Sequence, residues 1–133
     1  MYKKLVKIDG NDYIINFPNV GQMIEIEQLK LAYTNGRYIE FAMSNLVNHI
    51  FILDFVDAVS YLSVLIPELK KDLGIEEYTK MDSEKTKEII RAYKEEFIPW
   101  FKPILEDLYD FNKKAEKVQK DDLEDGTSTD QQT

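Results

Sequence analysis

The fold is decided by the stretch "FILDFVDAVSYLSVLIPELKKDLG", which runs from Phe51 to Gly74. Almost every residue between Phe55 and Ile66 is apolar, and this run is long for a strand. We therefore predict a central helix that is apolar on all sides and needs cover from the rest of the chain or from a partner. A strand is the alternative, because the run is rich in β-branched residues.

The same segment falls short of a membrane span. It stops at Pro67 and is followed by "ELKKD", whereas ~20 apolar residues are needed to cross a bilayer. Asp54 and Asp57 add carboxylates to it. The N-terminal "MYKKLVKIDG" turns polar after Val6, so it lacks the apolar run of a signal peptide. We expect no membrane insertion.

The composition disfavours several classes of partner and chemistry. The 133 residues suit one domain, and their net charge of −8 disfavours nucleic acid and anionic membrane surfaces, which attract clustered Lys and Arg. The chain contains no cysteine, which removes disulfides, thiol chemistry and thiolate metal sites. This composition fits the reducing environment of a cytoplasm.

The opening "YKKLVKIDGNDYIINF" alternates polar and apolar residues and carries a turn signal at Asp9 and Gly10. This pattern predicts a β-hairpin within residues 1–18. Two strands alone are marginal in water, so we expect the hairpin to pack on other elements. Its apolar face is assigned to Leu5, Tyr13, Ile15 and Phe17.

The next segment, "FPNVGQMIEIEQLKLAYTNGRY", has a helix start and a helix stop. Asn19 and Gln22 have the spacing of a capping box, and Asn35-Gly36 is typical of a helix end. We predict a helix from Val20 to about Thr34. Its apolar side is assigned to Val20, Met23, Ile24, and Leu31 or Ala32.

Two further helices are predicted before Gly74. The segment "RYIEFAMSNLVNHI", residues 37–50, has apolar residues at helical spacing and forms the second helix. Asp54 is predicted to cap the third helix, which continues to Ile66. Pro67 then opens a short helical turn that ends at Gly74.

The last long helix is predicted to begin at a cap formed by Asp82 or Ser83. Pro99 and Pro103 remove amide donors from it, so we expect a kink or break between Phe97 and Pro103. Its apolar stripe consists of Ile89, Ile90, Tyr93, Phe97, Trp100, Phe101, Ile104, Leu105, Leu108 and Phe111.

Together these elements predict a mainly α fold, in which an N-terminal β-hairpin is followed by a four- to five-helix bundle. We assign residues 1–118 to a single helical domain that includes the hairpin at 1–18. Residues 119–133 are acidic and almost free of apolar side chains, which predicts a disordered tail.

The sequence offers little for catalysis. His49 is the only histidine, and without cysteine it gives a metal ion few ligands. Ser44 or Ser60 would have to lie beside it in space to act as a nucleophile. We predict no catalytic, cofactor-binding or metal-binding residues and a non-enzymatic function. The alternative, a small enzyme, requires a polar pocket around His49 and two carboxylates.

The segment "FIPWFKP", Phe97 to Pro103, places aromatic side chains around two prolines. Core packing explains it, and so does an aromatic anchor site for a partner, because Trp, Tyr and Phe dominate binding hot spots. Both interpretations stay open.

The layout resembles the small tail-assembly chaperones and related small virion-assembly proteins of long-tailed bacteriophages. The resemblance runs from Lys7 to about Phe111 and rests on the hairpin, on "FPNVGQMIEIE", on the apolar helix pair ending "SVLIPELKKDLG" and on the acidic tail. It implies a helical, self-associating protein of the bacterial host cytoplasm. It also implies that this protein coats an apolar tape-measure protein and brings tail-tube subunits to it.

The first hypothesis is therefore an assembly chaperone that shields an amphipathic helical client in a groove between the third helix and the kinked last helix. Its predicted partner-binding residues are Phe55, Tyr61, Trp100 and Phe101. The alternative is a structural tail or connector subunit of the virion. Mass spectrometry of purified particles separates the two, because a subunit is stoichiometric and a chaperone is absent or scarce.

Overall fold

The computed structural model describes residues 2–109 and confirms the predicted mainly α fold with an N-terminal β-hairpin followed by helices. The predicted domain boundary at residue 118, the tail at 119–133 and Phe111 lie outside the described residues. In chain order the elements are β1 (Lys3–Ile8), β2 (Asn11–Asn16), α1 (Val20–Tyr33), α2 (Tyr38–Ala42), α3 (Val47–Leu65), α4 (Leu69–Asp72), a 3₁₀ helix (Ile75–Lys80), α5 (Ser83–Arg91), a π-helix (Ala92–Phe97) and α6 (Ile98–Tyr109).

The chain divides into two compact units, one up to Pro99 and one from Trp100 onward. In the first unit α3 packs against α1, α2, α5 and the π-helix, and β1 packs against the π-helix. The second unit is described only over residues 100–109, where Phe101 is buried and Leu108 is exposed. The core side chains of the first unit include Val6, Ile8, Ile15, Ile26, Val59, Leu62, Ile66, Leu69, Ile89 and Phe97.

The two strands of the hairpin are antiparallel and joined by a tight turn. Asp9 and Gly10 have φ angles of 52° and 83°, the left-handed conformation that this kind of turn requires. The buried face is formed by Val6, Ile8, Tyr13 and Ile15. Leu5 was assigned to this face, but it pairs with Ile14 and both are exposed. Its register by itself places it on the opposite face from Val6.

An arginine clamp, formed by Arg91, Glu88 and Glu96, joins the hairpin to α5 and the π-helix. The guanidinium of Arg91 donates to Glu88 at 2.7 Å, to Glu96 at 2.9 Å and to the carbonyl of Lys7 at 2.7 Å. Glu96 and Glu88 in turn accept from the backbone amides of Lys7 at 3.0 Å and Asp9 at 2.8 Å. The outer edge of β1 is therefore occupied by side chains at Lys7, close to the turn.

Helix α1 begins at the predicted capping box, because the side chains of Asn19 and Gln22 each accept from the other's backbone amide. Its inward face differs from the prediction. Ile26 and Lys30 are buried, whereas Val20, Ile24, Leu31 and Ala32 are exposed. Apolar residues occur around the whole helix, so their spacing alone did not fix which side faces the core.

The second and third helices break at a different place from the prediction. Helix α2 ends at Ala42, and α3 begins at Val47 rather than after Asp54. Ser44 causes this break by accepting from the amide of Leu46 at 3.1 Å, a local bond that competes with helix continuation. Asp54 lies within α3 and pairs with Lys94 at 2.7 Å.

Helix α3 is buried in its second half and exposed in its first. The buried residues from Val56 to Leu65 confirm the prediction of a central helix for that half. Among the described residues α3 is the one helix long and apolar enough to cross a membrane, with a mean hydropathy of 1.3 and 39% of the window buried. A core helix meets the same criteria, and the second half of α3 is buried in the first unit.

The last helical region begins at the predicted cap, where the Asp82 side chain accepts from the amide of Lys85 at 2.8 Å. Its irregular stretch is the π-helix Ala92–Phe97, about one turn before the predicted kink. The amide of Ile98 bonds to the carbonyl of Tyr93, which widens the helix immediately before Pro99. Pro103 lies inside α6, which continues past it to Tyr109.

Candidate partner-binding surface

Large apolar side chains are exposed on α2, in the turn that follows it and on the first turns of α3. Met43 is 83% exposed and Val47 is 80% exposed, so nothing in the described chain covers them. We call this set of side chains the α2–α3 surface. It consists of Ile39, Met43, Leu46, Val47, Ile50 and Phe51.

The geometry of α2 explains why these side chains point outward. Helix α2 has no buried residue, and it lies against the first turn of α3 through Phe41, whose ring is 4.9 Å from that of His49. The break at Ser44 leaves only a short turn between α2 and α3, so the exposed apolar side chains of the two helices follow each other closely along the chain. Large apolar side chains left exposed in one segment of a folded chain are candidates for an interaction site.

An apolar groove continues from this surface. It has a volume of about 610 Å³ and lies between α3, the 3₁₀ helix and α5. Phe51 belongs to both features, so the groove and the α2–α3 surface are adjacent. The groove is lined by Phe51, Phe55, Tyr78, Thr79, Met81, Ser83, Thr86, Lys87 and Ile90.

A polar cluster anchors α2 from beneath. The hydroxyl of Tyr38 donates to Asp57 at 2.6 Å. Burial raises the pKa of the Asp57 carboxyl above its usual value, and burial together with the Asp57 acceptor raises the pKa of Tyr38. This hydrogen bond holds the first residue of α2 against α3.

Lys30 completes the same cluster from α1. Its ammonium lies 2.8 Å from Glu27 and sits over the rings of Tyr61, at 4.7 Å, and Tyr38, at 5.3 Å. Burial alone would lower the pKa of Lys30, but the bond to Glu27 and the nearby Tyr61 raise it overall. The charge is therefore kept, and the cation–π contacts tie α1 to α2 and α3.

His49 and Ser44 meet, as the enzyme alternative requires, with the His49 Nδ1 atom 2.8 Å from the Ser44 hydroxyl. The contact is local, because it closes the turn between α2 and α3 while the same hydroxyl accepts from the amide of Leu46. Within residues 2–109 no hydrogen bond joins a carboxylate to this ring, and no cluster of metal-binding side chains is found. The pair acts as a turn closure in this geometry.

The four predicted partner-binding residues lie in different parts of the structure. Phe55 is half-buried and lines the groove. Tyr61 is half-buried in the core, 5.2 Å from the ring of Phe97. Trp100, half-buried, and Phe101, buried, belong to the second unit. Of the four, Phe55 is the one beside the exposed apolar surface.

The sequence reasoning missed the exposed residues of α2 and the start of α3. Met43 and Val47 lie in the segment that was predicted as one continuous second helix, residues 37–50, and that prediction did not mark them as exposed. The signal that could have located them is "SN" at Ser44-Asn45, because both residue types favour turns over helix interiors.

Comparison with known proteins does not assign the chain to a family. No protein-family model, no curated protein and no solved structure matches it. Its function is therefore inferred from the α2–α3 surface and the groove.

Proposed function

We propose that this protein is a non-enzymatic assembly chaperone that binds an apolar or amphipathic helix of a client protein. The exposed α2–α3 surface is the observation that supports this proposal. In keeping with the resemblance to phage tail-assembly chaperones, the proposed client is a tape-measure protein, to which tail-tube subunits are then delivered. The proposed setting is the cytoplasm of a bacterial host.

The proposed binding mode places one face of the client helix on the α2–α3 surface. A bulky side chain of the client enters the adjacent groove and contacts Phe51 and Phe55. Helix-in-groove recognition works in this way, with anchors spaced at helical intervals. In this mode Phe55 keeps its predicted role, while Met43 and Val47 replace the aromatic side chains of the last helix.

The magnitude of apolar burial is consistent with this mode. Covering one exposed Val, Ile, Leu or Met side chain contributes roughly 1.5–3 kcal/mol. Association itself costs roughly 4–15 kcal/mol in lost freedom. Several side chains must therefore be covered together, and the α2–α3 surface offers Ile39, Met43, Val47 and Phe51 within one short segment of the chain.

The net charge of −8 supports the same proposal, because a net charge far from zero disfavours non-specific aggregation of a chain that exposes apolar side chains. A helical client that carries Lys or Arg beside its apolar face would also be attracted over a distance of about 10 Å at moderate salt. The proposed client helix is therefore amphipathic with a basic flank.

Co-expression with a phage tape-measure protein tests the proposal. Wild-type chain is expected to move the tape-measure protein into the soluble fraction and to co-purify with it. Val47→Lys is expected to abolish both effects, because it places a charge at the centre of the α2–α3 surface without touching the core.

Val20→Lys provides the matched control. Val20 is also the first residue of a helix and is 67% exposed, but it lies on α1. This variant is expected to act like wild type. Unchanged client solubility with the wild-type chain, or equal losses in both variants, would contradict the proposal.

A further inference from the structure

The two outer edges of the hairpin differ. The strand β1 packs against the π-helix, and the arginine clamp bonds both backbone groups of Lys7 and the amide of Asp9. The edge of β2 has no such cover. Within residues 2–109 no hydrogen bond reaches the outward backbone groups of Asp12, Ile14 or Asn16.

The strand register identifies these outward groups. Lys7 pairs with Asp12, and the backbone of Lys7 faces the clamp, so the backbone of Asp12 faces away from β1. The amide of Phe17 donates to the carbonyl of Tyr2 at 3.0 Å, which fixes the same alternation at the other end of the strand. The amides and carbonyls of residues 12, 14 and 16 therefore form an open strand edge.

We propose that this edge pairs with the same edge of a second copy, so that two β2 strands run antiparallel about a two-fold axis at Ile14 and the two hairpins form one four-stranded sheet. An isologous contact of this kind is the commonest form of self-association. Backbone pairing supplies the bonds that the open edge lacks. The acidic chain thus associates through a surface separate from the α2–α3 surface.

The side chains on the outward face fit this register. With the axis at Ile14, the Ile14 side chains of the two copies are opposite each other, and Asp12 of each copy is opposite Asn16 of the other. Leu5, 58% exposed, lies beside Ile14, 65% exposed, so an apolar row crosses the sheet. The neighbouring row across the sheet consists of Lys7 and Asp12 of one copy, followed by Asn16 and Lys3 of the second copy. Each Asp12 carboxylate therefore lies beside a lysine, and no two carboxylates are opposite each other.

The registers centred on the other two outward residues of β2 are worse. An axis at Asp12 places two Asp12 carboxylates opposite each other, which is repulsive. An axis at Asn16 places Ile14 opposite Pro18, which has no amide to donate. Among the three outward residues, charge and backbone chemistry thus select Ile14 as the centre.

A charge swap tests the register in the full chain. Asn16→Asp places two pairs of carboxylates opposite each other, and it is expected to weaken dimerisation roughly tenfold at low salt. The double change Asp12→Asn with Asn16→Asp exchanges the two residue types and restores the favourable pairing. It is expected to return the dimerisation constant to about the wild-type value, as measured by sedimentation equilibrium.

Hydrogen exchange supplies an independent readout. On raising the protein concentration, the amides of residues 12, 14 and 16 are expected to gain protection while those of 13 and 15, already bonded to β1, do not change. Val47→Lys is expected to leave dimerisation intact, so failure of the proposed function and failure of this inference give different results. A chain that stays monomeric at the highest attainable concentration, a swap that fails to rescue, or concentration-dependent protection confined to other residues would overturn it.

Discussion

At the scale of single residues, the buried hydroxyl of Ser60 is the clearest misfit in the core. The side chain is fully buried, and its oxygen has no hydrogen-bond partner among residues 2–109. An unsatisfied buried hydroxyl costs about 1–3 kcal/mol. We therefore expect Ser60→Ala to raise the free energy of unfolding by about 1 kcal/mol in urea titrations.

Thr34 is the matched control for this prediction. Its hydroxyl is also buried but donates to the carbonyl of Lys30 at 2.8 Å. Thr34→Val is expected to lower the free energy of unfolding, because it leaves that carbonyl with one partner fewer. Destabilisation by both substitutions would mean that the Ser60 hydroxyl is satisfied.

The Tyr38–Asp57 hydrogen bond gives a second residue-scale prediction. Tyr38→Phe removes the donor and leaves a half-buried carboxylate, at an expected cost of about 1.5–3 kcal/mol at neutral pH. Burial already raises the pKa of Asp57, so the folded state binds this proton more tightly than the unfolded state and acid favours folding at this site. The substitution raises that pKa further.

The loss of unfolding free energy caused by Tyr38→Phe is therefore expected to shrink as the pH falls through the raised pKa of Asp57. Urea unfolding of wild type and variant across acidic pH measures this. Tyr2→Phe, which alters an exposed tyrosine of the hairpin, is the control and should change nothing. A deficit that stays constant with pH would contradict the assigned role of the Asp57 carboxylate.

At the scale of elements, the arginine clamp governs how the hairpin is attached. The hydrogen bonds from Arg91 and from the amide of Asp9 lower the pKa of Glu88 below its usual value of 4.5. A carboxyl with a lowered folded pKa stabilises fully above its unfolded pKa and loses that contribution as pH falls through the folded one. The contribution of Glu88 to the free energy of unfolding should therefore be lost as the pH is lowered below about 4.5.

Glu88→Gln is expected to lower the neutral-pH stability and to remove part of this acid-dependent loss. Urea titrations at several pH values measure both effects. Glu25→Gln, an exposed glutamate of α1 outside the clamp, is the control and should keep the wild-type slope. An unchanged slope in Glu88→Gln would place the acid sensitivity elsewhere.

Elements whose ends are marked by local chemistry could be predicted from the sequence. The turn at Asp9 and Gly10, the capping box at Asn19 and the cap at Asp82 each depend on residues a few positions apart, and each was confirmed. The break at Ser44 was missed because apolar spacing continues across it. The spacing of apolar residues carries no information about the hydrogen bond from the amide of Leu46 to the Ser44 hydroxyl.

Sequence patterns also did not predict which side of α1 faces the core, and the reason is different. Lys30 is buried because its ammonium is held by Glu27 and by the rings of Tyr38 and Tyr61, which come from distant parts of the chain. A lysine in isolation is expected at the surface. The candidate site depended on the same tertiary information, so of the four predicted residues only Phe55 lies beside the exposed surface.

At the scale of the whole molecule, the two proposed contacts are chemically distinct. The α2–α3 surface is apolar and presents side chains, whereas the edge of β2 presents the backbone groups of Asp12, Ile14 and Asn16. A chaperone with both could shield a long client by placing paired copies along it. Because the α2–α3 surface is apolar, we expect added salt to leave the ratio of client to chaperone in the complex unchanged. Added salt should, in contrast, strengthen dimerisation of the Asn16→Asp variant, because it screens the repulsion between the facing carboxylates.

The central claim is that the exposed apolar side chains of α2 and early α3 are a binding site for a client helix. Hydrogen exchange of the chain with and without a phage tape-measure protein tests it most directly. Slower exchange of amides in residues 38–51, with Phe55 and the groove protected alongside, is the predicted result. Protection confined to other residues, or none at all while the two proteins remain bound, would contradict it.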